Sequence, residues 1–394
     1  MCDVLRSAAN QMPEADRRRF LKSLSAAAAA GGLIAAGSPA AAAGPERKGS
    51  AARRHRTRLV LLGTAGGPGR LAGGPAGVST AVVYEDRVYL VDLGAGSLIQ
   101  LSQSGLGLDA EVSSSLARVS GVFFTHLHSD HVTDWPGVYA TGTTNAFGRM
   151  LPKVQVFGPG DRGTLPRVFP PGRPAPPVVH AEDPTPGITG MTSYLSRAFA
   201  QDFNDRARDN NLAAPESLFD VHDIDLAGVW DVDAEGRPPR LAGPLHVWDD
   251  GDVRVTATLV DHHPTAPAFG YRFDTPDGSV VISGDTTVSE NLIDLAQGCD
   301  FLVHEVIDPK FVEAVTASLP DDIAGPAREH LLSSHTTIEQ VGRDVAEPAA
   351  AKNLVLSHLI PSTNAASRWR LAQRGYSGRL IVGKDLMRLG IGRP

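Results

Sequence analysis

The stretch FFTHLHSDH, residues 123–131, crowds three histidines and an aspartate into the six positions from His126 to His131. Histidine is otherwise scarce, with 13 in 394 residues. The cluster follows Gly121-Val122-Phe123-Phe124, an apolar run short enough to be a buried strand. On a helix His126 and His128 would point apart. In an extended loop alternate residues share a side, so those two can bind one ion while Asp130 and His131 turn toward a second. Close-packed imidazoles repel when protonated, and a metal that takes their lone pairs removes the conflict.

Four donors are too few for two ions, so further ligands are expected where other strands end. His262 follows Val255–Val260, Asp285 follows Val280–Gly284, and His358 follows Leu354–Ser357. His263 competes with His262 for the same role.

Around these positions the chain alternates short apolar runs with turns. Leu59–Leu62, Ala81–Tyr84, Val88–Val91, Val154–Phe157, Leu245–Trp248, Val253–Leu259, Phe269–Phe273 and Ser279–Ser283 read as strands, as do Phe301–Val303 and Leu354–Leu356. Helices are expected over Ser97–Ser104, 192–210, 289–297 and 336–347. Early hairpins followed by later helices predict sheets packed inside helical layers.

The N-terminus reads as an address. Arg17-Arg18-Arg19-Phe20-Leu21-Lys22 fits the twin-arginine export pattern, a weakly apolar stretch follows, and Ala41-Ala42-Ala43 supplies a cleavage site. The expectation is a signal peptide over residues 1–43, a linker over 44–57, and a periplasmic or secreted protein with no stable membrane span after cleavage. The whole chain carries a formal charge of −7. Removing residues 1–43 takes five basic and three acidic residues, which makes the remainder more acidic still. That argues against a sequence-independent nucleic-acid binder. The expected partner is a small-molecule ester, with a homodimer as a further option. The two cysteines, Cys2 and Cys299, make no disulfide framework.

The pattern H-x-H-x-D-H after a strand resembles the signature of the metallo-β-lactamase superfamily. Phe269-Gly270-Tyr271-Arg272, Ser283-Gly284-Asp285-Thr286, Val303-His304-Glu305, Ser334-His335-Thr336-Thr337 and Leu356-Ser357-His358 continue it. Together they resemble the ribonuclease Z-like branch, which includes zinc phosphodiesterases and alkyl- or arylsulfatases. The resemblance covers about residues 58–160 and 245–390. It implies an α/β fold, the four-layer αββα sandwich, over 58–394, with an insert at about 161–244.

It also implies site roles. His126, His128 and His262 would hold one metal, and Asp130, His131 and His358 the other, with Asp285 bridging. Pro264 two places after His262 fits the branch's spacing, which favours His262 over His263. Nitrogen and oxygen donors without a thiolate suit two zinc ions, with manganese as the alternative. The catalytic set would be Asp130, His335 as general acid, and Glu305 as the carboxylate that holds it. The expected reaction is hydrolysis of small phosphodiesters or sulfate esters by a water that the two ions share. A lactonase and a non-catalytic metal-binding protein are the alternatives from other classes. A ribonuclease Z-type endoribonuclease is a fourth reading. Against it stand the export signal and the short interval Phe273–Ile282, where many ribonuclease Z enzymes carry an RNA-gripping arm. The insert, with acidic residues Asp220, Asp223 and Asp225, is expected to be a lid or a dimerisation arm.

Overall fold

The computed structural model describes residues 55–69, 73–108 and 114–393. The arginine pair, the small-residue run and the cleavage position lie outside the described residues.

Fourteen strands among the described residues form two seven-stranded sheets. The first contains β1 (Thr57–Gly63), β2 (Ser79–Tyr84), β3 (Arg87–Val91), β4 (Val119–Phe123), β5 (Val154–Pro159), β6 (Phe219–Ile224) and β14 (Arg388–Ile391). Its order is β14-β1-β2-β3-β4-β5-β6. The second contains β7 (Leu245–Asp250), β8 (Val253–Leu259), β9 (Phe269–Thr275), β10 (Gly278–Ile282), β11 (Phe301–Ile307), β12 (Asn353–Ile360) and β13 (Arg379–Val382). Its order is β13-β12-β11-β10-β9-β8-β7.

Strands buried on both faces explain why the sequence shows unbroken apolar runs instead of alternation. In β1, Leu59 and Leu61 enter the core between the sheets, while Val60 and Leu62 face the helical side. Phe123 sits at the centre of the inter-sheet core. Its ring lies 5.3 Å from Phe273 and 5.5 Å from Tyr271, both edge-on, a geometry worth about 0.5–1.5 kcal/mol per pair beyond area burial. Leu101, Trp135, Val138 and Ile188 cover the outer face of the first sheet. Leu292, Ile338, Val341 and Val345 cover that of the second. This is the four-layer αββα arrangement.

The strand directions place the site. β3, β4 and β5 run parallel, so their C-terminal ends share one rim. In the second sheet β10, β11 and β12 are parallel, and β8 joins that direction because β9 is antiparallel to both β8 and β10. The loops that carry His126 to His131, His262 and Asp285 therefore leave strand ends on one side of each sheet, whereas His358, expected after a strand, lies inside β12.

Two expectations change in detail. The helix read over 192–210 is two helices, Ile188–Ala198 and Ala200–Asn210, separated at Phe199. The segment read as insert is interrupted by β6, which pairs with β5 from Val154↔Phe219 to Pro159↔Ile224. Asp220 and Asp223 are thus edge-strand residues, and Asp225 follows them.

Candidate metal centre

The cluster loop leaves β4 at Phe123, and a short helix, Ser129–Val132, turns Asp130 and His131 inward. His126 Nε2 lies 3.0 Å from His128 Nδ1, and His262 Nε2 lies 3.3 Å from the same atom. The ligand atoms of this trio all lie within 4.8 Å of one another, as do those of Asp130, His131, Asp285 and His358. Asp285 stands between the two groups. Its Oδ2 is 3.3 Å from His131 Nε2 and 3.9 Å from His262 Nε2, and its Oδ1 is 3.3 Å from His358 Nε2. The structure thus brings together all seven residues singled out as ligands. His263 points elsewhere: its Nδ1 is 2.7 Å from Asp261 Oδ1, and Arg237 Nη2 is 3.0 Å from its Nε2.

Local backbone makes this convergence possible. Gly284 has φ 62°, and a Cβ there would come 2.7 Å from the Phe269 carbonyl and 2.9 Å from Thr125 Cβ. Only glycine fits at the step before Asp285. Opposite Glu305 in β11 stand two residues of β12, Ser357 and His358, since His304 pairs with Leu356 and Val306 with Leu359. This bulge breaks the alternation, and His358 takes φ 45°.

The sequence reading missed the residues that orient the donors. Asp92, buried after β3 with φ 59°, lies 2.8 Å from His131 Nδ1 and accepts from the Thr125 amide and hydroxyl, each at 2.8 Å. The Ser334 carbonyl lies 2.7 Å from His262 Nδ1, and Thr265 Oγ1 lies 2.8 Å from His128 Nε2. Such partners set which ring nitrogen faces the ion. The only available signal for Asp92 was its place one step beyond a strand parallel to β4.

The electrostatics fit a cation. Burial and the neighbouring rings hold His126 and His262 well below the ordinary histidine value, and burial pushes His128 down to about 4. These three rings keep lone pairs free at neutral pH. Burial also works against charge on His131, but Asp285, Asp92 and Asp130 pull it well above its usual range. Asp285 Oδ1 is buried with no hydrogen-bond partner, a costly position unless a cation completes it. Asp130 is held low against burial by His131 and His358. The two donor groups fit a binuclear metal site.

Beside them lies a third pair. His335 Nδ1 is 2.9 Å from Glu305 Oε1, and both are buried. Glu305 Oε1 also accepts the Thr286 amide at 2.9 Å. Burial pushes Glu305 up, and Glu305 overcomes burial to pull His335 up, so a proton is kept between them. His335 Nδ1 is also 3.9 Å from Asp285 Oδ2, and His262, Asp285 and His335 form a further donor group. With Nδ1 turned to Glu305, Nε2 is the ring nitrogen that Glu305 does not engage.

Comparison with known proteins agrees with this geometry. The sequence profile of the metallo-beta-lactamase superfamily matches residues 72–334. Ribonuclease Z of Mycobacterium avium is 29% identical over 323 residues, 81% of this chain and 93% of its own length. Ribonuclease Z of Mycolicibacterium gilvum is 28% identical over 320 residues, 80% of this chain and 90% of its own length. Among solved structures, the short form of human tRNase Z aligns with a TM-score of 0.53 at 19% identity, over 85% of this chain and 100% of its own. The metallo-beta-lactamase fold protein YhfI of Bacillus subtilis gives 0.52 at 16%, over 84% and 98%. The chain is similar to the ribonuclease Z proteins, belongs to the metallo-beta-lactamase superfamily, and is a metal-dependent hydrolase of that fold.

Proposed function

We propose that this chain hydrolyses phosphodiesters with the catalytic apparatus of a ribonuclease Z-type enzyme. The observation that carries the reading is the buried Glu305–His335 pair set beside the two donor groups. The relatives' name adds to it, since it denotes cleavage of RNA, and the alignment spans nine-tenths or more of their length. On this evidence the ribonuclease-type alternative is better supported than sulfate esters or lactones.

His126, His128 and His262 would hold one divalent ion, Asp130, His131 and His358 the other, with Asp285 between them. When bound, the ions supply a Lewis acid for the phosphoryl oxygens and an acidified water as nucleophile. Zinc suits these nitrogen and oxygen donors. Glu305 fixes the His335 tautomer with the proton on Nδ1 and stabilises the doubly protonated ring. His335 Nε2 then gives its proton to the departing oxygen. Asp92 holds His131 in register, and Asp130 is placed 3.3 Å from His358 Nε2.

A second reading, small phosphodiesters instead of RNA, is favoured by one feature. β9 and β10 are joined by a tight turn, with Thr275 paired to Gly278, so no arm emerges there. The test is a parallel assay of metal-loaded protein on a precursor transfer RNA, bis(4-nitrophenyl) phosphate, 4-nitrophenyl sulfate and a lactone. Cleavage of both phosphodiesters supports the ribonuclease reading. Turnover of the small diester alone selects the second. Sulfate or lactone turnover without phosphodiester cleavage defeats both.

A further inference from the structure

Beside His128 the rim opens into a cavity of about 250 Å³ that the reaction above does not use. β5 runs parallel to β4, so its end at Pro159 stands next to the origin of the ligand loop. The cavity therefore lies on the same rim as the donor groups and shares His128 with them. Its outer wall comes from the segment after β5, between Gly160 and Pro186.

The wall chemistry is unusual for a rim. Leu127, Pro166, Pro186, Pro264, Ala266 and Pro267 present aliphatic surface, and no carboxylate lines the space. Besides His128, three polar side chains line it, and each is bonded to the protein. Arg162 donates to the backbone carbonyls of Pro264, Asp233 and Ala234, and its Nε is buried out of reach. The Thr185 hydroxyl donates to Asp161 Oδ1 at 2.7 Å. The Thr265 hydroxyl is paired with His128 Nε2. A cation would meet the Arg162 charge and no carboxylate, and an anion would have to compete with three backbone carbonyls for the guanidinium. An uncharged apolar group suffers neither penalty. Pockets for drug-sized ligands run to about 300–1,000 Å³, so this one is sized for a ring or a fused pair.

We propose that this cavity is a substrate subsite for an uncharged, flat, ring-sized group carried on the ester. The proposal rests on the phosphodiesterase reading for the reaction, but its test does not. Flat aryl and nucleobase rings share the chemistry that proline faces accept. With the guanidinium and hydroxyl donors of the wall bonded to the protein, the walls are better suited to a ring face than to reading ring identity by hydrogen bonds. The subsite selects shape and apolarity.

The experiment measures calorimetric affinity of zinc-loaded protein for phenylphosphonate and methylphosphonate, which share the anionic head and differ in the ring. Wild type should favour phenylphosphonate about 10- to 100-fold, the worth of burying one apolar ring. Pro166→Trp, at an exposed lining residue, should bring that ratio near one and leave methylphosphonate affinity unchanged. Thr185→Phe fills the same space from another side and should do likewise if Pro166→Trp fails to fold. 9-Methyladenine and anisole, added as competitors, separate nucleobase from aryl preference. A wild-type ratio near one, or an unchanged ratio in a folded filling variant, overturns the subsite. Ring-dependent binding in a protein that cleaves no phosphodiester would keep the subsite and discard the reaction assigned above. Phosphodiester cleavage with a ratio near one would do the reverse.

Discussion

Replacing His335 with alanine removes the side chain proposed to give a proton to the leaving oxygen and leaves Glu305 behind it. Its value depends on how badly the leaving group needs that proton. Positioned general acids contribute about 10²- to 10⁴-fold, which is about 3–5 kcal/mol at 1.36 kcal/mol per decade. An alkoxide leaving group should show the full loss, whereas a nitrophenolate departs as an anion and should show a small one. The structure adds a second cost. Glu305 Oε2 already lacks a partner, and His335→Ala removes the Nδ1 contact from Oε1, leaving only the Thr286 amide. An undersatisfied buried carboxylate costs about 1–3 kcal/mol, so the melting temperature should fall with activity. His335→Asn separates the two effects, because an amide can still donate to Glu305 but cannot act as an acid at neutral pH. It should recover much of the stability and none of the alkyl-ester activity. The assay compares kcat/KM on a methyl and a 4-nitrophenyl leaving group from the same phosphodiester, with zinc content measured in parallel. Equal losses on both leaving groups with intact metal would refute the acid role. Loss of zinc would show that His335 is a ligand.

Asp285→Ala should lower zinc content, since that carboxylate faces donors of both groups; His263→Ala should keep the metals, because its ring faces Asp261 and Arg237, and elemental analysis reads both. Asp308 is buried, but Arg368, the Lys310 amide and Asn364 together hold its carboxyl below the ordinary value against that burial. A depressed folded pKa gives stability that is present above the unfolded value of about 4 and lost as pH falls through the folded one. Asp308→Asn should therefore destabilise the fold at pH 7 by about 1.5–3 kcal/mol, the worth of a charged hydrogen-bonded group, which is read as a lower melting temperature. The gap to wild type should close in acid, and a gap that widens there would contradict the assignment.

The site was more legible than the fold around it, for physical reasons. Ligand residues are held by rigid strands, so apolar runs that reach His126, His262, Asp285 and His358 mark them, although His358 sits at a bulge inside β12 and not at its end. Strands buried on both faces, such as Leu59–Leu62, stand out because nothing polar interrupts them. β6 was not legible: FDVHDI is an edge strand whose exposed acidic residues, Asp220 and Asp223, lack the period-two alternation of a strand and look like a solvated loop. The break at Phe199 was hidden because Leu195, Phe199 and Phe203 keep helical spacing across it. The helix Asp321–Ser333 contains Pro326 and lacks the strong apolar stripe that identifies a helix in sequence. Asp92 and the Ser334 carbonyl were beyond reach because they meet their histidines only in three dimensions.

The seven donors are split between the sheets: His126, His128, Asp130 and His131 hang from the first, while His262, Asp285 and His358 hang from the second. Neither sheet alone owns a complete set, so a tightly held ion pair exists only after the two halves have closed on Phe123 and its neighbours. By linkage, whatever the ions gain by binding is added to the adhesion between the halves. Such a pair is a clasp as well as a reagent. Chelation would remove both at once, and a loosened interior, far from any substrate, would be felt at the rim as weaker hold on metal.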